Sequence, residues 1–306
     1  MMKVAFLFPG QGAQAVGMGK ELYEEVPAAR ELFDRADAIL GFPLSKLCFE
    51  GPAEALEATD VSQPAIFVAS LAALEDLKAR EPDLVASVAG AAGLSLGEYT
   101  ALVFAGALDF EAGLRTVRRR GEAMQAASNA SPSGMTSVLG LDEAKVDELI
   151  ARVATIGGGT IWKANMLCPG NIVVSGSKEA LTHVEPIATE LGAMKVIPLA
   201  VAGAFHTDLM KPADAQLAEV LALADLKPPR IPVYSNVTAG PHGDDPDAIR
   251  QTLATQVTRG VLWEASMRRM LDDGFDTFYE IGPGRVLTGL LKRINRKVPC
   301  TSVPAR

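Results

Sequence analysis

"AAGLSLGEYTALVFAGAL", residues 91–108, decides how the rest of the chain is read. With the residues before it, "LVASVAGAAG" (84–93) forms a continuous apolar run, the pattern of a strand covered on both faces. "GEYTALVFAGAL" (97–108) then reads as a helix. Between them, Ser95 stands between Gly93 and Gly97 as G-L-S-L-G. One reading is a glycine-punctuated loop. The other is a strand–turn–helix elbow, where small neighbours allow a strained turn that exposes a serine hydroxyl at the end of a sheet. The context of strand before and helix after favours the elbow. It also puts the Leu96 N–H at a helix amino terminus, where it can stabilise an oxyanion.

Outward from this point, strands and helices alternate. "KVAFLFP" (3–9) is a second buried strand, and "GKELYEEVPAARELFDRADAIL" (19–40) is helical with a break near Pro27. "QPAIFVASLAALEDLKAR" (63–80) reads as a buried helix opened by its proline, and "DFEAGLRTVRRRGEAMQAAS" (109–128) as a helix capped by Asp109. After the turn-rich "NASPSGMTSVLGL" (129–141) the order becomes strand 135–141, helix 142–154, strand 161–165, strand 171–176, helix 178–191, strand 195–199. That β-α-β-β-α-β series is a ferredoxin-like unit. Helices resume from Asp208, with strands at "IPVYSNV" (231–237) and "TFYEIG" (277–282). The fold expected is α/β: a hydrolase-like catalytic domain with a parallel sheet, made of 1–130 and 201–306, with a ferredoxin-like subdomain, 131–200, inserted in it.

Composition narrows the function. With 306 residues, 48% hydrophobic and 22% charged, the chain can bury a large core. Its net charge of −8 provides no global field for nucleic acid or an anionic membrane. No apolar run reaches the roughly 18 residues of a membrane span. Three scattered cysteines, Cys48, Cys168 and Cys300, make neither a disulfide framework nor a metal site. A cytoplasmic monomer without metal or cofactor is expected, or a plastid stromal one had a transit peptide been removed.

A serine nucleophile needs a base, and three histidines are available. His183 falls in the polar pattern of a helix and reads as a surface residue. His242, in "AGPHGDDPD" (239–247), has nothing in the sequence to fix its orientation. His206 ends the apolar run "VIPLAVAGAF" (196–205), where the chain re-enters the main domain, and is the favoured base. In the helix holding Arg118, Arg119 and Arg120, the apolar face is made by Phe110, Leu114, Val117, Gly121 and Met124. Arg119 points away from it. Arg118 and Arg120 flank it, and either can hold a carboxylate bidentately. "VAFLFPGQGAQA" (4–15) matches a dinucleotide fingerprint, but no second strand closes on an acidic residue, so that reading is rejected. Gln11 in this loop serves better as an amide donor near the strand ends.

Taken together, "FLFPGQGAQ", "TDVSQPAIF", "GLSLGEYTALVFAGAL", "RRRGEAMQ", "NMLCPGNIVVSG", "GAFHTDLMKPA", "SNV", "TQVTRGVLW" and "YEIGPGRVLTGLLKRI" are distinctive. Over nearly its full length the chain resembles the malonyl-CoA:acyl-carrier-protein transacylases of type II fatty-acid synthesis. The resemblance implies malonyl transfer to the phosphopantetheine thiol of acyl carrier protein through an acyl-serine. It implies Ser95 as nucleophile, His206 as base, Gln11 and the Leu96 N–H as oxyanion hole, and Arg120 as the carboxylate binder. The carbonyl of Gln256 would orient the histidine, in place of a triad acid. Phe205 is similar to malonyl-selective members, and with Leu94 and Asn165 it would line the acyl pocket. The chain departs from the family at Leu94, where histidine is usual, at Leu167 and Asn171 in "NMLCPGN", and at Gly260, where proline is common.

Two rivals are a serine esterase and a catalytically idle docking module. About 100 residues follow His206, unlike the late histidine of α/β-hydrolases, which counts against the first. An intact Ser95, His206 and Arg120 count against the second. A basic patch on the last helix, Arg285, Lys292, Arg293, Arg296 and Lys297, is the expected contact for the carrier protein or for CoA phosphates.

Overall fold

The computed structural model describes residues 2–157 and 159–306. Nine strands are described: β1 Val4–Phe8, β2 Val88–Gly93, β3 Ser133–Leu139, β4 Ile161–Cys168, β5 Asn171–Ser177, β6 Lys195–Pro198, β7 Val233–Tyr234, β8 Thr277–Ile281 and β9 Cys300–Val303. They form a five-stranded sheet in the order β7-β2-β1-β8-β9 and a four-stranded sheet in the order β4-β5-β3-β6.

Every pairing in the first sheet is parallel. Its central strand shows why its sequence reads as unbroken apolar. Val4, Phe6 and Phe8 enter one core while Ala5 and Leu7 enter another, on the opposite face. The larger core is closed by the helix Thr59–Arg80, which buries sixteen of its residues, and by the helix Phe110–Ala130.

The second sheet is antiparallel throughout, and β3 occupies an inner position beside β5 and β6. That strand order is the one expected of a ferredoxin-like unit. Its helices, Glu143–Ile156 and the pair Lys178–Thr182 and Val184–Glu190, close a third core through Val146, Leu149, Val153, Val184 and Ile187. Asp109 caps its helix as the sequence implies, accepting from the Ala112 N–H at 2.7 Å, and Asp142 caps its own by accepting from the Lys145 N–H at 2.9 Å.

Several boundaries differ from the sequence reading, and one strand is added to it. Pro64 does not open its helix, which starts at Thr59. A proline there has no N–H for the Asp60 carbonyl, four residues earlier. Arg118 supplies the missing donor, Nη1 to Asp60 O at 2.7 Å. Residues 84–86 belong to a short helix, Pro82–Ala86, so β2 begins only at Val88. The last helix ends at Ile294, leaving Arg296 and Lys297 beyond it. Strand β9 was not anticipated, because "CTSV" is too short and polar to signal a strand without its partner β8.

Candidate active site

The loops after β1 and β2 leave adjacent strand ends, where Phe8 pairs with Gly93. Their backbones touch. A Cβ on Gly10 would lie 2.3 Å from the Leu94 carbonyl oxygen, one on Gly93 1.9 Å from the Gly97 carbonyl carbon, and one on Gly97 2.1 Å from the Phe8 oxygen. The glycines around Ser95 are therefore required by close backbone contact.

Ser95 has φ of 51°, in the left-handed region that side chains avoid. Its surroundings hold it there. The Ser95 N–H donates to Asn236 Oδ1 at 2.6 Å, and the Ser95 carbonyl accepts from Gln256 Nε2 at 3.0 Å. Asn236 Nδ2 also donates to the Gly93 carbonyl at 2.7 Å. The helix Gly97–Phe104 follows, with Leu96 at its N-cap position.

His206 reaches the serine from the segment after β6. Its Nε2 lies 2.9 Å from Ser95 Oγ, and its Nδ1 lies 2.9 Å from the main-chain oxygen of Gln256. A carbonyl can only accept, so Nδ1 carries the hydrogen and Nε2 presents its lone pair to the serine. His206 also has a positive φ, 61°. The turn is fixed from the antiparallel sheet: Ser175 Oγ on β5 donates to Phe205 O at 3.0 Å, and Ser133 Oγ on β3 accepts from Ala204 N at 3.1 Å. Burial, helped by the nearby Arg120 cation, pushes the His206 pKa down to about 4. The imidazole is thus neutral at physiological pH, with its Nε2 lone pair facing the Ser95 hydroxyl.

Arg120 is the arginine that turns inward. Its side chain is about 1% exposed, whereas Arg118 pairs with Asp60 and Glu122 and Arg119 pairs with Glu122 near the surface. Arg120 Nη2 donates to Ser95 Oγ and to Gln256 Oε1, both at 2.9 Å, and Nη1 donates to Gln63 Oε1 at 2.6 Å. Its guanidinium carbon lies 5.5 Å from the centre of the Tyr99 ring, and Nε has no protein partner. Burial lowers the Arg120 pKa, opposed by the Glu98 carboxylate. A buried cation with an unused donor beside the Ser95 hydroxyl is suited to receive an anion.

A cavity of about 90 Å³ opens over Ser95 and His206, lined by Gly10, Gln11, Leu94, Asn165 and Phe205 together with Met124, Met135, Leu199 and Val201. It contains the three pocket residues expected from sequence, and Asn165 Oδ1 is buried there without a partner. Gln11 is half-buried at its edge and donates its amide to Thr59 Oγ1 over 3.4 Å. Among the described residues no group of three or more His, Cys, Asp or Glu converges as a metal site requires.

His183 is half-buried between two short helices, away from these contacts. His242 corrects the sequence reading. It is buried, its N–H donates to Val233 O at 2.7 Å, and its Nε2 lies 2.6 Å from Glu98 Oε1. Sequence reasoning assigned no role to Gln63, Glu98 or Asn236. The only available signal was a polar residue on an otherwise apolar, buried face.

A model of the acyl transferase domain matches residues 5–305. The chain belongs to the acyl transferase family. Over 305 residues this acyltransferase is 46% identical to the malonyl CoA-acyl carrier protein transacylase of Bacillus subtilis, covering 99% of this chain and 94% of that protein. Its fold is that of the acyl-carrier-protein-S-malonyltransferase from Bartonella henselae, with TM-score 0.94 and 38% identity over 99% of this chain and 95% of the other. A type II PKS acyl-carrier protein in complex with its malonyl-transacylase gives TM-score 0.92 at 36% identity, covering 99% and 95% of the two chains.

Proposed function

We propose that this acyltransferase moves the malonyl group of malonyl-CoA to the phosphopantetheine thiol of an acyl carrier protein through a malonyl-Ser95 intermediate. The observation that carries this reading is the buried Arg120 guanidinium, 2.9 Å from Ser95 Oγ. An acyl group bearing a free carboxylate satisfies that cation, and an acetyl group leaves it unpaired. In a buried site the difference amounts to about 2–4 kcal/mol.

His206 Nε2 takes the Ser95 proton as Oγ attacks the thioester carbon, while Nδ1–H keeps its hydrogen bond to the Gln256 carbonyl. The tetrahedral oxyanion is met by the Leu96 N–H at the helix amino end and by the second amide hydrogen of Gln11. Collapse breaks the C–S bond, and His206 returns its proton to the departing CoA thiolate. The carrier thiol then gives its proton to His206, attacks the malonyl ester and releases Ser95 with the proton restored. All these groups come from one chain, which supports a monomer as the working unit. The Phe205 ring in the cavity wall leaves little room for an α-methyl branch.

For the carrier we propose the surface that includes Arg285, Lys292, Arg293, Arg296 and Lys297, all exposed. Arg293 Nη2 donates to the Pro169 and Gly170 carbonyls at 3.0 and 3.4 Å, which joins this helix to the β4–β5 turn.

Intact-mass spectrometry after mixing with malonyl-CoA or acetyl-CoA tests the assignment. A malonyl adduct is expected, absent in Ser95→Ala and discharged by holo carrier protein. Steady release of malonate without discharge to the carrier would replace the transferase reading with a hydrolase.

A further inference from the structure

Glu98 is fully buried, yet neither of its carboxylate oxygens touches Arg120 or any lysine. Oε2 accepts from Gln256 Nε2 at 2.7 Å and from the Asn236 main-chain N–H at 3.1 Å. Oε1 faces His242 Nε2 at 2.6 Å. Both residues bound by Oε2 reach the elbow: Asn236 holds the Ser95 N–H, and Gln256 holds the Ser95 carbonyl.

Gln256 stands between two opposite charges. Its Oε1 faces the Arg120 guanidinium and its Nε2 faces the Glu98 carboxylate. A guanidinium only donates and a carboxylate only accepts, so this amide has a single permitted orientation. The same residue offers its main-chain oxygen to His206 Nδ1. One residue thus ties His206 through its main chain, and the cation, the elbow and Glu98 through its side chain, and His242 is what completes the Glu98 shell.

We propose that His242 is a positioning residue: by donating to Glu98 it holds the carboxylate against Gln256, and through Gln256 it sets the alignment of His206 and Arg120. His242 is suited to the task because its own position is fixed. Its main chain is anchored to Val233 on the edge strand β7, and the neighbouring Pro241 bridges to Tyr234. Without that donor Oε1 faces a buried space with no partner, and the carboxylate gains by rotating away from Gln256. The amide then loses its reason to keep Oε1 on Arg120.

This proposal rests on the reading of Arg120 as carboxylate binder, and the experiment separates the two. Rates of Ser95 acylation by malonyl-CoA and acetyl-CoA are measured for the wild type, His242→Leu, His242→Gln and Arg120→Ala, with melting temperatures. A change that only lowers the folded fraction reduces both rates equally and leaves their ratio unchanged. His242→Leu is expected to cut malonylation about tenfold and to narrow the malonyl-to-acetyl ratio several-fold. His242→Gln, whose amide can donate from nearly the same place, is expected to restore both. An unchanged ratio in His242→Leu, while Arg120→Ala collapses it, overturns the positioning role. If Arg120→Ala itself leaves the ratio intact, the carboxylate reading fails. The acetylation rate per folded molecule then decides: a fall in His242→Leu reversed in His242→Gln supports positioning through His206, and no fall overturns it.

Discussion

Arg120 Nη2 and Ser95 Oγ lie 2.9 Å apart, which puts a fully desolvated cation in direct contact with the Ser95 hydroxyl. The contact favours the serine alkoxide, and in the proposed reaction the same cation holds the carboxylate at the far end of the acyl group. Replacing Arg120 by alanine removes the second function most. Malonylation of Ser95 is expected to fall about 10²–10³-fold, as for a charged hydrogen bond worth a few kcal/mol, with acetylation changed far less. Pre-steady-state acylation rates for both thioesters check this. Equal losses for the two would refute the carboxylate role.

The depressed pKa of His206, about 4, predicts the pH profile. Its causes are burial and the Arg120 charge. In the free enzyme the base stays deprotonated down to about pH 4, so kcat/KM keeps its acid limb low except where the substrate carboxylate itself titrates. A bound malonyl carboxylate neutralises Arg120 and lets the His206 pKa rise. The acid limb of kcat is therefore expected at higher pH than that of kcat/KM, measured with wild type across pH 4–8. Coincident limbs would show that Arg120 and the substrate carboxylate do not interact.

The same depression has a consequence for stability. An unfolded histidine binds its proton near pH 6.5, whereas folded His206 resists doing so until about pH 4. Protonation thus favours the unfolded chain, and the stability present above pH 6.5 is lost as pH falls toward 4, by about 3 kcal/mol from this group. Denaturant unfolding at pH 7 and pH 4.5, repeated in His206→Asn, reads the difference. The variant is expected to show a shallower loss.

The elbow glycines make a geometric prediction. Gly93→Ala places a methyl 1.9 Å from the Gly97 carbonyl carbon, in backbone that cannot yield. Loss of the folded enzyme or of Ser95 reactivity is expected, at a cost above about 3 kcal/mol. Gly289→Ala is the contrast. That site lies in the helix Val286–Ile294 with nothing within 4 Å, so melting should rise, by about 0.5–1 kcal/mol of added stability.

Ser175 links the antiparallel sheet to the site through its bond to Phe205 O, directly before the strained His206. Ser175→Ala leaves that buried carbonyl without its donor and is expected to cost about 1–3 kcal/mol of stability. With His206 less firmly held, kcat should drop roughly tenfold at constant carrier KM. Steady-state kinetics beside thermal melts test both effects.

The chain's own pattern determined much of this. Continuous apolar runs made β1 and β2 legible because both faces of those strands are buried, and the β-α-β-β-α-β order announced the second sheet. The Ser95 elbow was visible because a tight turn between packed backbones demands glycine locally. His206 could be singled out because only three histidines exist. The spacing of Arg118, Arg119 and Arg120 limited the inward arginine to two, the resemblance chose Arg120, and the structure has its side chain turned against Ser95.

What sequence alone could not determine are bonds between residues far apart in the chain. His242 looked unanchored because its partner, Glu98, lies 144 residues away. Gln63, Asn236 and Gln256 are polar side chains whose meaning depends on which buried group they meet, and local periodicity carries no trace of that. Apolar burial repeats every two or 3.6 residues and so writes itself into the chain. A hydrogen-bond network satisfies single atoms at single distances, and it exists only once the tertiary fold has brought its members together.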